Sequence, residues 1–271
     1  MSELLPVDDE SWADDLDRAV AALSQQNFVF AENLLDRWLS RFSPLELDDK
    51  GRYLFARSTA LIGDLQRDRG ILFGSAAAQQ AYISACSMFR KLDTPRRVAQ
   101  MELSMTVITE MSGRLETAAR SYERLAGDGR LSRRDRARAL LWVGTALSKH
   151  GEYDHATRVM STAIREFEEL SEPDDWSVAH QKLALAHRGA GDLDRALRCI
   201  DIAHRTTTTP APMQWVRLTT AQGHVLVSDP ATRDDGLRSL DLAAKVAARY
   251  RLNHQLDSIA RIRAAIPTVH R

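Results

Sequence analysis

Apolar residues return along this chain in steps of three and four, as paired stripes separated by short polar breaks. Leu140, Leu141, Val143, Gly144 and Leu147 form one stripe; Ala156, Val159, Met160, Ala163, Ile164, Phe167 and Leu170 form the next. Such steps put side chains on one face of an α-helix and do not fit the alternation of a strand. The break between them, Lys149-His150-Gly151-Glu152, predicts a helix end with Gly151 in the left-handed cap position. Two amphipathic helices joined by so tight a turn pack antiparallel. The small residues Gly144 and Ala156 mark where the two backbones approach most closely.

The same design recurs on both sides. Leu183, Ala184 and Leu185 precede Gly191, followed by Leu193, Ala196, Leu197, Ile200 and Ala203. Leu103, Val107 and Met111 precede Gly113, followed by Leu115, Ala118, Ala119, Tyr122 and Leu125. Ile62, Gly63 and Leu65 precede Gly70 and a short insertion, then Ala78, Tyr82, Ala85, Met88, Phe89 and Leu92. The alanines Ala78, Ala118, Ala156 and Ala196 are spaced by 40, 38 and 40 residues, and a further step of 40 lands on Gly236. A period of this length is one supersecondary unit repeated, which buries its apolar face only by stacking on its neighbours. Weaker patterns flank the array. Trp12–Leu23 and Phe28–Phe42 read as a first hairpin with Asn27 in the turn, and Leu252, Leu256, Ile259 and Ile266 as a final helix before Pro267. Helix starts are marked by Thr94-Pro95, by Ser132 with Asp135 as a capping-box variant, by Pro173-Asp174-Asp175, and by Pro210 and Pro212. The threonine run Thr206–Thr209 reads as a long inter-repeat loop, and His224–Val227 as a helix end.

These units resemble the tetratricopeptide repeat. Gly144, Gly151, Tyr153, Ala156 and Ala163 carry the likeness best, then Gly191, Leu193, Ala196 and Ala203, then Gly63, Gly70, Ala78, Tyr82 and Ala85. The period is longer than the usual ~34 residues, and Phe89–Arg97 looks like the linker of the longer repeats of bacterial regulators. The resemblance implies an all-α, right-handed superhelical solenoid of about six hairpins. They fall over 11–43, 48–92, 95–127, 132–170, 174–206 and 211–250, with a capping helix over 252–266 and a flexible stretch over 1–10. It further implies that the first helix of each pair lines a concave groove. That places Arg57, Asp64 and Arg67, then Gln100, Leu103 and Val107, then Arg138, Leu141, Thr145 and Lys149, then Gln181, Leu185 and Arg188 on the groove. Amides and arginines there would bond backbone carbonyls and carboxylates, and the apolar floor would take side chains; some of the charged residues would instead form structural ion pairs.

Composition narrows the function classes. Basic and acidic residues balance at 37 each, so no overall field draws the chain to nucleic acid or an anionic membrane. Only Lys50, Lys91, Lys149, Lys182 and Lys245 are lysines; arginine supplies the rest of the positive charge. Cys86 and Cys199 sit in apolar helical patterns and read as buried free thiols. The N-terminal stretch lacks the apolar core of a signal peptide and no window approaches the ~20 apolar residues of a membrane span, so a cytoplasmic protein is expected. No phosphate-binding loop, His-Glu-x-x-His or Cys-x-x-Cys motif is present. The pairs His150/His155 and His180/His187 lack i, i+4 spacing and a third ligand. No catalytic residues, cofactor or metal are expected. The basic run Arg133–Arg138 reads as a solvated helix face, and Trp142, Trp176 and Trp215 as packing residues.

The expected function is therefore a non-catalytic scaffold or adaptor holding a protein or peptide in its groove. The alternative is a peptide-responsive sensor of a bacterial regulatory system, acting with a separate DNA-binding partner, because the stretch before Trp12 is expected to leave no room for a DNA-binding domain. Self-association through the loosely patterned first hairpin is a further partner class. The groove reading expects charge reversal at Arg138 and Arg188 together to abolish binding with helix content intact.

Overall fold

The computed structural model describes residues 8–74, 77–206 and 211–266. Most of the expected flexible N-terminus, the last three threonines of the Thr206–Thr209 run, Pro210 and Pro267 lie outside the described residues. Among the described residues there are thirteen α-helices, one 3-10 turn (Pro44–Glu46) and no strand. In chain order the helices are α1 (Asp9–Ser24), α2 (Phe28–Leu39), α3 (Asp49–Asp68), α4 (Ala78–Lys91), α5 (Pro95–Met111), α6 (Leu115–Ala126) and α7 (Arg133–His150). They continue with α8 (Tyr153–Glu169), α9 (Pro173–Gly189), α10 (Leu193–Thr206), α11 (Pro212–Leu226), α12 (Arg233–Arg249) and α13 (Asn253–Ala264). They form two compact units, one through Ile108 and one from Thr109 onward.

In the second unit the hairpins α7–α8, α9–α10 and α11–α12 stack in two layers. The first helices α7, α9 and α11 touch in succession, α8 packs on α9 and α10 on α11, and α13 rests on α11 and α12. Stacking works because the facing positions are small: Ala156, Ala163, Ala196 and Ala203 are wholly buried, with Phe167, Met160 and Ile200 filling the space between layers. Gly151 adopts φ 99°, the left-handed conformation that caps α7 and turns the chain into α8. At Gly144 the helices are so close that a Cβ would stand 2.5 Å from Met160 Cγ and 3.1 Å from the Ala156 carbonyl oxygen.

In the first unit, α1 packs on α2 and α3, and α3 on α4. Trp12 stacks on Trp38 at 5.1 Å and on Phe42 at 5.6 Å. The Trp12 Nε1–H donates to Ser58 Oγ at 2.9 Å, pinning α1 to α3. The Trp38 Nε1–H donates at 2.9 Å to the buried carboxylate of Asp15, which also pairs with Arg18 and Arg37. A charged residue on the inner face of α1 blurs its apolar stripe, which is why the first hairpin is faint in sequence.

One local expectation changes and two gain detail. Helix α1 begins at Asp9, before the end of the expected flexible stretch, because the Asp8 carboxylate accepts from the Ser11 amide at 3.0 Å. Asn27 is the N-cap of α2, and Gln26 takes the left-handed turn position at φ 55°. Ser132 caps the Asp135 amide at 3.1 Å, and its hydroxyl donates to the Asp135 carboxylate at 2.8 Å. Cys86 and Cys199 are buried and, among the described residues, form no disulfide.

Candidate functional site

The expected groove residues fall on both units. On the first, Asp64, Arg67 and Asp68 of α3 close a network with Tyr82 of α4. Arg67 donates to Asp64 at 2.8 Å and to the Tyr82 hydroxyl at 3.0 Å and pairs with Asp68 at 3.1 Å, while Tyr82 donates to Asp64 at 2.7 Å. Asp64 and Arg67, expected on a ligand face, are joined in a network that holds α3 to α4. Arg97 donates to the Tyr53 hydroxyl at 3.1 Å and to Gln100 at 2.9 Å. Burial pushes the Tyr53 phenol up, but the hydrogen bonds and charges of Arg97 and Arg57 outweigh it and hold it below the ordinary tyrosine value. Leu103 and Val107 are half-buried on α5.

On the second unit, Leu141 is 2% exposed and belongs to the core, and the buried Thr145 hydroxyl donates to the Leu141 carbonyl at 3.0 Å within α7. Both side chains are buried, so neither is open to a ligand. Leu185 is half-buried against the same core. Gln181 is buried and accepts from Gln214 Nε2 at 3.1 Å, an amide bridge from α9 to α11. Arg188 donates to Ser228 Oγ at 3.0 Å.

The basic run at the start of α7 is not a free solvated face. Arg133 pairs with Glu166 at 2.8 Å, Arg134 with Glu172 at 3.0 Å and Asp175 at 2.7 Å, and Arg138 with Asp175 at 2.9 Å. These pairs tie α7 to α8 and α9. Arg138 is thus a clamp on Asp175, and its charge reversal, expected from sequence to spare the fold, would set two carboxylates against each other. Arg138→Glu is expected to cost about 1–3 kcal/mol and to lower the melting temperature by several degrees in a circular-dichroism melt, with Arg138→Met costing under about 1 kcal/mol. Equal melting curves for Arg138→Glu and wild type would remove the clamp.

What the unit gathers around α7, α9, α11 and α13 is a cluster of cations. Lys149, at the end of α7, bonds Glu110 of α5 at 2.6 Å, and the second Glu110 oxygen accepts from the Tyr122 hydroxyl at 2.9 Å. Lys182 of α9 lies with its ammonium 5.4 Å from the centre of the Trp142 ring on α7, a cation–π contact. Burial, with Lys149 and Arg217 nearby, lowers the Lys182 amine to about 7. His254 of α13 is held below its ordinary value by burial, then by Lys149, Arg261 and Arg217. His224 of α11 is lowered to about 4 by burial and by Arg188. Among the described residues Lys182 makes no ion pair, in contrast with Lys149. The sequence carried one sign of it: a lysine, rare in this chain, set directly before the apolar run Leu183-Ala184-Leu185-Ala186. The family register chose Gln181 and Leu185 and passed over the residue between them.

No protein-family model and no curated protein matches this chain. Solved structures do. A Rap protein complexed with competence and sporulation factor superimposes with a TM-score of 0.56 and 11% identity, over 95% of this chain and 82% of that one. The Rap conjugation gene regulator of plasmid pLS20, in complex with the Phr* peptide, superimposes with a TM-score of 0.56 and 14% identity, over 96% of this chain and 80% of that one. At these identities the likeness is one of fold: an all-helical array of tetratricopeptide-like hairpins.

Proposed function

We propose that this chain is a non-catalytic, peptide-binding regulatory protein of the long-period tetratricopeptide-repeat type, working in the cytoplasm, and that its ligand lies along the face formed by α7, α9 and α11. The observation that carries the reading is the polar row on those helices. Lys149, Lys182 and the bridged amides Gln181 and Gln214 stand on first helices that touch in succession, while the apolar residues of the same helices are spent on the core. Gln181 is buried and acts from beneath: its bond holds the half-buried Gln214 in one rotamer, so a ligand meets a preorganised amide. Among the described residues no helix is long and apolar enough to cross a membrane. Of the two Rap structures that this fold resembles, one was solved with competence and sporulation factor and the other with the Phr* peptide, and the second supports a peptide as ligand. One of them is a gene regulator, and that favours the sensor reading, in which the peptide controls a separate DNA-binding partner.

Selection from a random-sequence displayed peptide library, followed by calorimetry, tests this. The expected result is a consensus peptide binding one to one, with affinity falling at least tenfold in Gln181→Ala/Gln214→Ala, about 1.4 kcal/mol. No enriched peptide, or peptides that bind the double variant as well as wild type, would overturn the proposal.

A further inference from the structure

Lys182 is the group that the fold does not explain. Every other cation described above on α7 and α9 has found a carboxylate or a hydroxyl: Arg133, Arg134 and Arg138 through their acidic partners, Lys149 through Glu110, and Arg188 through Ser228. Glu110 acts on Lys182 through its charge alone, its two oxygens being bonded to Lys149 and to Tyr122. Lys182 rests instead on the Trp142 ring, with the cations Lys149 and Arg217 beside it. A half-buried ammonium with no direct ion pair and two cations beside it destabilises the protein that carries it. An arriving carboxylate would offset that, since it supplies a counter-charge in direct contact.

We propose that Lys182, flanked by Lys149 and Arg217, receives an anionic group of the bound peptide, a carboxylate at its free C-terminus or on an aspartate or glutamate side chain. This rests on the peptide-binding reading above and adds to it the chemistry of the ligand. The Trp142 ring below Lys182 fixes the ammonium in place. A second consequence is proton coupling. In the free protein the Lys182 amine titrates at about 7, so binding a carboxylate draws a proton onto it. Affinity then rises as pH falls from about 8.5 to about 6, above the range in which the ligand carboxylate itself is protonated. Three other groups face Lys182 or its neighbours: Lys149 is paired with Glu110, Glu110 also accepts from Tyr122, and His254, held low by burial, gains charge only as pH falls.

The test uses the selected peptides in three forms: free acid, C-terminal amide, and Asp or Glu replaced by Asn or Gln. Each is titrated into wild type and Lys182→Met at about pH 6 and about pH 8.5. Removing the anionic group, or making Lys182→Met, is expected to cost roughly 10–100-fold in affinity, and the two together no more than either alone, because both remove one contact. The amide and the carboxamide forms show which carboxylate is received. Ligand-free Lys182→Met is expected to melt several degrees higher than wild type, which also shows that it folds. Peptides that bind with affinity unchanged within about twofold in every arm would overturn the carboxylate site and leave peptide binding standing. Glutarate alone, followed by tryptophan fluorescence, separates the reverse case. Glutarate binding that Lys182→Met abolishes, with no peptide ever selected, would support the site and overturn the peptide reading; no response to glutarate or to any acidic peptide would overturn the site.

Discussion

Gly144→Val is expected to be the most damaging single substitution in the second unit. A Cβ at this position already stands 2.5 Å from Met160 Cγ and 3.1 Å from the carbonyl oxygen of Ala156. Methionine can swing aside, so Gly144→Ala should come out near neutral, the repacking offset by about 1 kcal/mol of gained helix propensity. The backbone of Ala156 cannot swing. Valine adds two branched methyls against it and forces α7 and α8 apart, opening the layer filled by Met160, Ala163 and Phe167. Overpacking of this kind costs about 3 kcal/mol. The consequence spreads, because in a stack each hairpin is stabilised by its neighbours and both α6 and α9 rest on this one. A fall of roughly 10 °C is expected by calorimetry. A Gly144→Val protein that melts with wild type would show that the α7–α8 contact is looser than its geometry.

Acid should weaken the second unit well before its carboxylates titrate. His224 is held to about 4 by burial and by Arg188, against 6.5 when unfolded. Between those values the unfolded chain takes up a proton that the folded chain refuses. The contribution of His224 is therefore complete above about pH 6.5 and lost as pH falls toward 4, a difference of about 3 kcal/mol. His180, His187 and His254 are displaced in the same direction, burial being the main cause for each, so the losses accumulate in one window. Ion pairs such as Arg138–Asp175 fail lower down, when carboxylates protonate. Denaturant midpoints measured across this range should slope steeply for wild type and more gently for His224→Gln. Parallel slopes for the two proteins would show that His224 protonates freely in the folded state.

Most of the architecture was readable because the forces that set it are local and periodic. Ala156, Ala196 and Gly151 announce their roles by size and by backbone freedom, and both act on residues a few positions away or on an identical neighbour one period on. The first hairpin was faint for the opposite reason. Its core includes Asp15, whose burial is sustained by Trp38 and Arg37 from the next helix, so the polar residue interrupts a stripe that is nonetheless buried.

The site was read less well. Leu141 and Thr145 satisfied the register of a groove helix but are buried together, because two positions of α7 separated by four residues share a face. Arg134 and Arg138 looked like solvent or ligand contacts until Asp175, about 40 residues away and one hairpin later, came within 2.9 Å of both. Lys182 gave almost no signal, since its isolation depends on Glu110 being claimed first by Lys149 and Tyr122.

Helix type, hairpin pairing, period and the small residues at the crossings were determined by the sequence alone, because each follows from apolar spacing and side-chain volume within one repeat. Which charges neutralise one another between helices of the second unit, and which one is left over, was decided only by the tertiary structure: those partners lie 33 to 41 residues apart, and electrostatic pairing depends on distance in space, which no spacing along the chain encodes.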